Sequence, residues 1–220
     1  MFPANICTII FDLDGTLIDS ADGIVESANY AFTAMGFPPR KREEITPYIG
    51  YPLEDVFRAF GDGDYTEYLR LFRECGDRAV VEASRALPGA DCVIRTLFTR
   101  GVTLAVGTTK SRTMTGKIIE RLGWTSFISA FLGADDVIKV KPHPEQFLKL
   151  LEMLRADPSR TLVVGDTAND VLAAHGAGIR IAAVPSPYGR NGEMEQSGPD
   201  YKLTGLEELP DLVGNIRHGN

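Results

Sequence analysis

Two carboxylates stand two residues apart in Asp12-Leu13-Asp14-Gly15-Thr16, directly after the apolar run Ile6-Cys7-Thr8-Ile9-Ile10-Phe11. A buried strand ending in such a turn places negative charge at the carboxyl edge of a sheet, where open α/β folds bind ligands. Charge in that position is costly unless a cation neutralises it. The two-residue step sends both side chains to the same side of an extended backbone, so one oxygen can attack while the other handles a proton. The pairing points to covalent phosphoryl chemistry assisted by a metal.

Three further segments carry matching chemistry. Leu104-Ala105-Val106 runs into Gly107-Thr108-Thr109-Lys110, a hydroxyl and free amides at a helix start, which hold phosphate oxygens or simply cap the helix. Lys139-Val140-Lys141-Pro142-His143-Pro144 sets a lysine before a proline-stiffened turn, although a lone lysine is ordinarily a solvated surface charge. Leu162-Val163-Val164 ends in Gly165-Asp166-Thr167-Ala168-Asn169-Asp170, where Asp166 is either a helix cap or a ligand. The set shifts the balance: two acidic strand ends, a hydroxyl and a lysine occur in this order on successive strands.

Positioning these groups requires alternating strands and helices. Ile24, Ala28, Ala31, Phe32 and Met35 recur at helical spacing and stop near Gly36-Phe37-Pro38-Pro39. No strand pattern follows for about fifty residues; segments 42–48, 53–60 and 64–83 read as amphipathic helices. After Leu87-Pro88-Gly89 the alternation is regular, with helices over 90–99, 111–122, 144–154 and 168–175 and strands over 103–106, near Phe131, and over 161–164 and 179–184. The expectation is an α/β protein with a Rossmann-like, doubly wound parallel sheet formed by residues 1–20 and 87–220. An all-helical cap domain, residues 21–86, is inserted in it, with hinges near Asp19-Ser20 and Leu87-Gly89.

Composition bounds the function. With 220 residues, 44% of them apolar, the chain can bury a substantial core. A formal charge of -7 and a pI near 5 argue against general affinity for nucleic acid or anionic membranes. Met1-Phe2-Pro3-Ala4-Asn5 has no basic character and the apolar run after it is too short for a signal sequence or a membrane span, so a cytoplasmic protein is expected. Cys7, Cys75 and Cys92 are scattered and odd in number, as expected of reduced thiols. His143, His175 and His218 have no partners at ligand spacing and read as loop or surface residues. Trp124, Phe127 and Phe131 read as core, and Arg40-Lys41-Arg42 beside Glu43-Glu44 as a solvated face.

Taken together, these motifs resemble the haloacid dehalogenase-like phosphohydrolase superfamily over nearly the whole chain. Asp12-Leu13-Asp14-Gly15-Thr16-Leu17 is similar to its first motif and Thr108 to its second; Lys141 in Lys-Pro-His-Pro-Glu is similar to its third, and Gly165-Asp166 with Asp170 to its fourth. The helical insert resembles the C1-type cap. Leu-Ile-Asp-Ser at 17–20, Tyr-Ile-Gly-Tyr-Pro-Leu at 48–53 and Gly-Pro-Asp-Tyr near Asp200 are similar to phosphoglycolate phosphatases. The resemblance implies a small phosphorylated metabolite as substrate, Asp12 as nucleophile, and Asp14 as the acid that later becomes the base. It implies Mg²⁺ held by Asp12, the Asp14 backbone carbonyl and Asp166, with Asp170 in a supporting role. Thr108 and Lys141 would bind the transferring phosphoryl group, with Gly15, Thr16 and Thr109 beside it. Gly50, in Ile49-Gly50-Tyr51-Pro52, is the candidate cap residue that meets the leaving group, against the alternative of an ordinary helix connection.

Rival readings differ in what they need. A receiver-type phosphoacceptor domain uses similar groups but has no need of the second carboxylate or of so large an insert. A β-phosphoglucomutase-like enzyme or a pyrophosphatase on the same scaffold stays open. A dehalogenase would lack Asp14 as proton donor, and a non-enzymatic binding protein would not need the full catalytic set.

Overall fold

The computed structural model describes residues 6–213; the first five residues and His218 lie outside the described residues. The chain runs through β1 (Thr8–Phe11), β2 (Ile18–Asp19), α1 (Ala21–Ala34), α2 (Arg42–Ile45), α3 (Leu53–Phe60), α4 (Tyr65–Ala83) and β3 (Arg85–Ala86). It continues with α5 (Ala90–Thr99), β4 (Thr103–Gly107), α6 (Arg112–Arg121), β5 (Ile128–Leu132), α7 (Glu145–Leu154), β6 (Thr161–Gly165) and α8 (Ala168–Gly176). β7 (Arg180–Ala183), α9 (Asn191–Gln196), β8 (Tyr201–Lys202) and α10 (Leu209–Val213) follow.

Six strands form one parallel sheet in the order β5-β4-β1-β6-β7-β8. β1 is central, with Thr8–Phe11 opposite Thr103–Val106 on one side and Thr161–Val164 on the other. Alternation along the strands divides the core between two faces. Ile9, Phe11, Leu104, Val106, Leu162 and Val164 join one cluster with Val93, Ile94 and Leu97 of α5 and Ile118 and Ile119 of α6. Ile10, Ala105, Val163 and Ile181 join the other with Phe147 and Leu150 of α7 and Val171 and Ala174 of α8. The doubly wound α/β architecture follows from burying both faces of continuous apolar strands.

β2 and β3 pair antiparallel, Ile18 with Ala86 and Asp19 with Arg85, where the chain enters and leaves the helical insert. Two-residue strands carry no periodicity, and no sequence pattern announces this ribbon. β8, α9 and α10 are likewise too short to stand out. The segment expected as one helix over 42–48 is α2 followed by a 3-10 turn at Thr46–Tyr48, with Pro47 inside the turn. Proline lacks the amide that would continue an α-helix. Arg40 departs from the expected solvated face: its guanidinium lies 5.2 Å from the Phe60 ring centre and donates to the Phe60 carbonyl at 3.3 Å. The half-buried Arg40 also exchanges backbone hydrogen bonds with the Asn29 side chain. Trp124 is fully buried, whereas Phe127 and Phe131 are half-buried beneath Arg95 and Arg112. Among the described residues, no helix is long and apolar enough to cross a membrane.

Within the insert, Phe32, Phe57, Tyr68 and Phe72 form a contiguous aromatic core, with ring centres 5.0–6.2 Å apart along the chain of contacts. α1 approaches α4 through Gly23, where an added Cβ would lie 2.5 Å from the Ala79 carbonyl oxygen and 2.5 Å from the Val80 Cα. Alanine would gain about 1 kcal/mol of helix propensity, but a clash against backbone costs about 1–3 kcal/mol. Gly23→Ala is therefore expected to lower stability, read as a lower urea midpoint. An unchanged or raised midpoint would show that the two helices separate without cost.

Candidate active site

β1, β4 and β6 end side by side, so the turns after them converge. The Asp12 amide donates to the Val164 carbonyl at 2.8 Å, which extends the β1–β6 ladder into the acidic turn. Gly15 adopts φ +80°, and an added Cβ would lie 2.8 Å from the Asp166 carboxyl carbon. Only glycine permits both this backbone and this approach. Thr16 completes the contact by donating its hydroxyl to Asp166 Oδ1 at 3.0 Å.

Lys141 is drawn into this cluster. Its ammonium lies 2.6 Å from Asp12 Oδ1, 2.6 Å from Asp170 Oδ1 and 3.1 Å from the Gly107 carbonyl, with 1% of the residue exposed. Glu145 holds the loop that delivers it, accepting from the Ile138 and Lys139 amides at 2.9 and 3.0 Å and pairing with Lys149 at 2.9 Å. The Ile138 amide, then Lys149 and the Lys139 amide, hold the Glu145 carboxyl down to about 2.

Asp12, Asp166 and Asp170 each offer an oxygen such that the three atoms lie within 4.8 Å of one another, all buried. With Lys141 as their one ammonium, three ionised carboxylates leave two negative charges. Burial works against the charge of Lys141, but Asp12 and Asp170 outweigh it and raise the ammonium above its ordinary range. The carboxylates fare differently. Burial is the largest influence on Asp12; with repulsion from Asp170 and Asp14 it overcomes the pull of Lys141 and pushes the carboxyl up to about 7. Burial, then Asp12 and Asp170, raise Asp166 well above the carboxylate range against hydrogen bonds from Ser186 and Thr16. The ammonium is satisfied; Asp12 and Asp166 are not.

Two oxygens record the deficit: Asp12 Oδ2 and Asp166 Oδ2 are buried without a hydrogen-bond partner. Asp170 is fully engaged, Oδ1 by Lys141 and Oδ2 by the Thr167 amide and hydroxyl at 3.1 and 2.6 Å. Thr167, with Asp170, forms the capping box of α8, which leaves Asp166 free of any capping duty. Oxygen donors, a residual double negative charge and two orphaned oxygens fit a hard divalent cation such as Mg²⁺.

Asp14 has a separate environment. Ser20 Oγ donates to its Oδ1, and Lys110 Nζ lies 3.0 Å from Oδ2 and 3.2 Å from Ser20 Oγ. Residue types alone do not single out Ser20 or Lys110. Thr108 is fully buried, with its backbone joined to β5 and its carbonyl held at 2.9 Å by the Gln146 side chain. Gln146 also donates to the Leu132 and Gly133 carbonyls at 3.1 Å each, tying the two loops together. Ser111, not Thr108, caps α6.

The helical insert reaches this edge through the 48–52 loop. Gly50, at φ +89°, would bring an added Cβ to 2.9 Å from the Thr167 methyl, and its carbonyl accepts from Thr109 at 3.5 Å. Arg190 lies 5.3 Å from the Tyr48 ring centre and 4.6 Å from that of Tyr51, whose hydroxyl meets Glu193 at 3.3 Å. At the ribbon, Tyr188 donates to Asp19 at 2.9 Å and accepts from the Ser20 amide at 3.2 Å. These contacts of the β7–α9 segment have no sequence signal. His143 and His175 are exposed, the latter 3.1 Å from Asp200.

Comparison with known proteins agrees with this geometry. The model of the haloacid dehalogenase-like hydrolase family matches residues 9–184. A pyrophosphatase PpaX of Anoxybacillus flavithermus is 34% identical over 215 residues, covering 96% of this chain and 98% of that one. Among solved structures, a predicted phosphoglycolate phosphatase from Haemophilus somnus aligns with TM-score 0.82 and 26% identity over 95% of this chain and 98% of that one. A putative β-phosphoglucomutase from Thermotoga maritima, with TM-score 0.72 and 22% identity over 94% and 97% of the two chains, shares the fold.

A carboxyl whose folded pKa is raised binds its proton more tightly when folded, so the folded state holds more protons than the unfolded chain between the two values. For Asp12 that window runs from 3.8 to about 7. The chelated protein should therefore lose stability as pH rises through it, seen as a falling melting temperature. Asp166→Asn should flatten the fall by removing a second carboxyl that burial, then Asp12 and Asp170, raise. A chelated wild type whose melting temperature is constant from pH 5 to pH 8 would contradict the charge deficit.

Proposed function

The chain belongs to the haloacid dehalogenase-like hydrolases, and from that premise we propose that this phosphatase is a Mg²⁺-dependent phosphomonoester hydrolase working through an aspartyl-phosphate. The observation that carries the reading is the division of labour between Asp12, under Lys141 with one orphaned oxygen, and Asp14, held apart by Ser20 and Lys110.

A carboxylate oxygen of Asp12 attacks phosphorus, the bond to the leaving oxygen breaks, and Asp14 gives that oxygen its proton. Water then attacks phosphorus, Asp14 takes the water's proton, and the bond to Asp12 breaks to release inorganic phosphate. Thr108, at the end of β4, donates to a phosphoryl oxygen. Lys141 offsets charge on Asp12 and on the transferring group while Asp170 holds its ammonium in place. Asp12, Asp166 and the Asp14 backbone carbonyl would hold Mg²⁺. When bound, the ion supplies charge neutralisation and orientation of the phosphoryl group. Gly15 and Thr16 act through Asp166 rather than by holding phosphate, since their contacts are with that carboxylate. Residues 21–86 form the cap that covers the site, with Gly50 and Thr109 at its seam.

A pyrophosphatase reading draws on the PpaX relative, because the groups around Asp12 would serve a phosphoanhydride equally well. Phosphoglycolate, from the structural neighbour, is a monoester the same site could open.

Asp12→Asn should abolish both turnover and phosphoenzyme, because an amide is a poor nucleophile. Asp14→Asn should slow hydrolysis of natural esters by about 10²–10⁴-fold while still forming phosphoenzyme from an activated ester, detected with labelled phosphate. Identical defects in the two variants would overturn the assigned roles. Mg²⁺ should restore activity after chelation and raise the melting temperature of the wild type. That rise should be much reduced in Asp166→Ala and less reduced in Asp170→Ala; full activity in excess chelator would overturn the metal assignment.

A further inference from the structure

A cavity of about 220 Å³ lies between the helical insert and the sheet edge and opens on Asp14, Thr109 and Lys110. Asp12, Thr108, Lys141 and Asp166 do not line it. The transferring phosphoryl group and the group it leaves would thus occupy different compartments, with the proton donor on their boundary. The cavity's walls therefore meet the leaving group, and their chemistry bears on what that group can be.

The walls are mainly apolar on both sides, with the hydroxyls of Tyr48, Tyr51, Tyr65 and Ser111 set among them. Ile24, Leu69 and Phe72 come from α1 and α4, Ile49 and Leu53 from the 48–53 segment, and Met114 from α6. Its charges are largely committed. Lys110 is shared between Asp14 and Ser20, and Glu54 pairs with Arg58 at 2.6 Å. Arg73, exposed on α4, is the lining cation outside an ion pair among the described residues. A single water needs only about 10–15 Å³ of such space, so the cavity accepts a leaving group of many atoms.

Inorganic pyrophosphate would place a second, multiply charged phosphate against these walls, and phosphoglycolate a carboxylate. Either loses hydration there, and beyond Arg73, at the exposed side, and a few hydroxyls the walls offer little to replace it. An alkyl or aryl group instead leaves water for a matching surface, which corresponds to a gain of about fourfold per buried methylene. We propose that the preferred substrates are phosphomonoesters of hydrophobic alcohols, whose apolar body fills this cavity while Asp14 protonates the ester oxygen. This rests on the phosphatase reading and adds the class of the leaving group.

The test is a series of n-alkyl phosphates from ethyl to hexyl, assayed with Mg²⁺ beside pyrophosphate and phosphoglycolate. The alcohols along the series have closely similar leaving-group chemistry, so a trend reports burial rather than reactivity. kcat/KM is expected to rise by about two- to fourfold per methylene until the cavity is full, with hexyl phosphate above both charged substrates. In Leu69→Lys, at a half-buried wall position, the gain per methylene should fall below about twofold, read as a ratio within the variant. A flat or falling series with ethyl phosphate still hydrolysed, or pyrophosphate preferred at least tenfold over hexyl phosphate, would overturn the inference and leave the phosphatase standing. Failure to hydrolyse any compound, with no phosphoenzyme from an activated ester, would remove the phosphatase reading and this one with it.

Discussion

One buried ammonium shared between two carboxylates, with a third carboxylate beside them, is the constraint on which the rest of the site depends. Lys141 reaches Asp12 and Asp170 at 2.6 Å each, and Asp166 lies beside them with an oxygen that has no hydrogen-bond partner among the described residues. A low-dielectric pocket makes both facts expensive: the paired charges hold each other firmly, and the unpaired one has nowhere to spread. Much of the surrounding structure fixes these groups in place. Glu145 pins the lysine loop, Thr167 holds the far oxygen of Asp170, and Thr16 holds the near oxygen of Asp166. A site left short of positive charge is one that a cation would complete.

Asp14 stands only two residues from Asp12, yet it answers to different partners. Lys110 and Ser20 come from the end of β4 and from the entry to the helical insert, so this carboxylate is set by the junction between sheet and insert. Its orientation is therefore tied to how the insert sits. Arg190 between Tyr48 and Tyr51, and Tyr188 at Asp19, bind that insert from the other side of the sheet edge.

The longer strands of the sheet, most helices and the acidic segments of the cluster were legible in the sequence because each has a local signature, whereas the two-residue strands β2, β3 and β8 have none. Short apolar runs that lead into an acidic or hydroxyl-bearing turn mark β1, β4 and β6, and helical spacing marks α1, α5 and α7. What the sequence did not disclose depends on approach between distant segments. Lys110 reads as any lysine after a threonine pair until it lies beside Asp14, and Gln146 as any helix residue until its amide bridges three carbonyls. Thr16, expected at the phosphate, spends its hydroxyl on a residue 150 positions away. Arg40, in a run that looks wholly solvated, is drawn inward by Phe60 because a guanidinium can stack and donate at once.

The central place of β1 has a consequence for how the molecule is made. The first strand of the sheet to leave the ribosome is the one that needs partners on both sides, and these are residues 103–106 and 161–164. Pairing over such separations is slow, since the loop must close before any contact rewards it. Until β6 emerges, the Asp12 turn has neither the Val164 carbonyl that anchors it nor the Asp166 side chain against which Gly15 packs. The acidic cluster therefore cannot exist in a nascent chain that stops short of residue 166, and the site is born only once β6 and the turn after it have emerged.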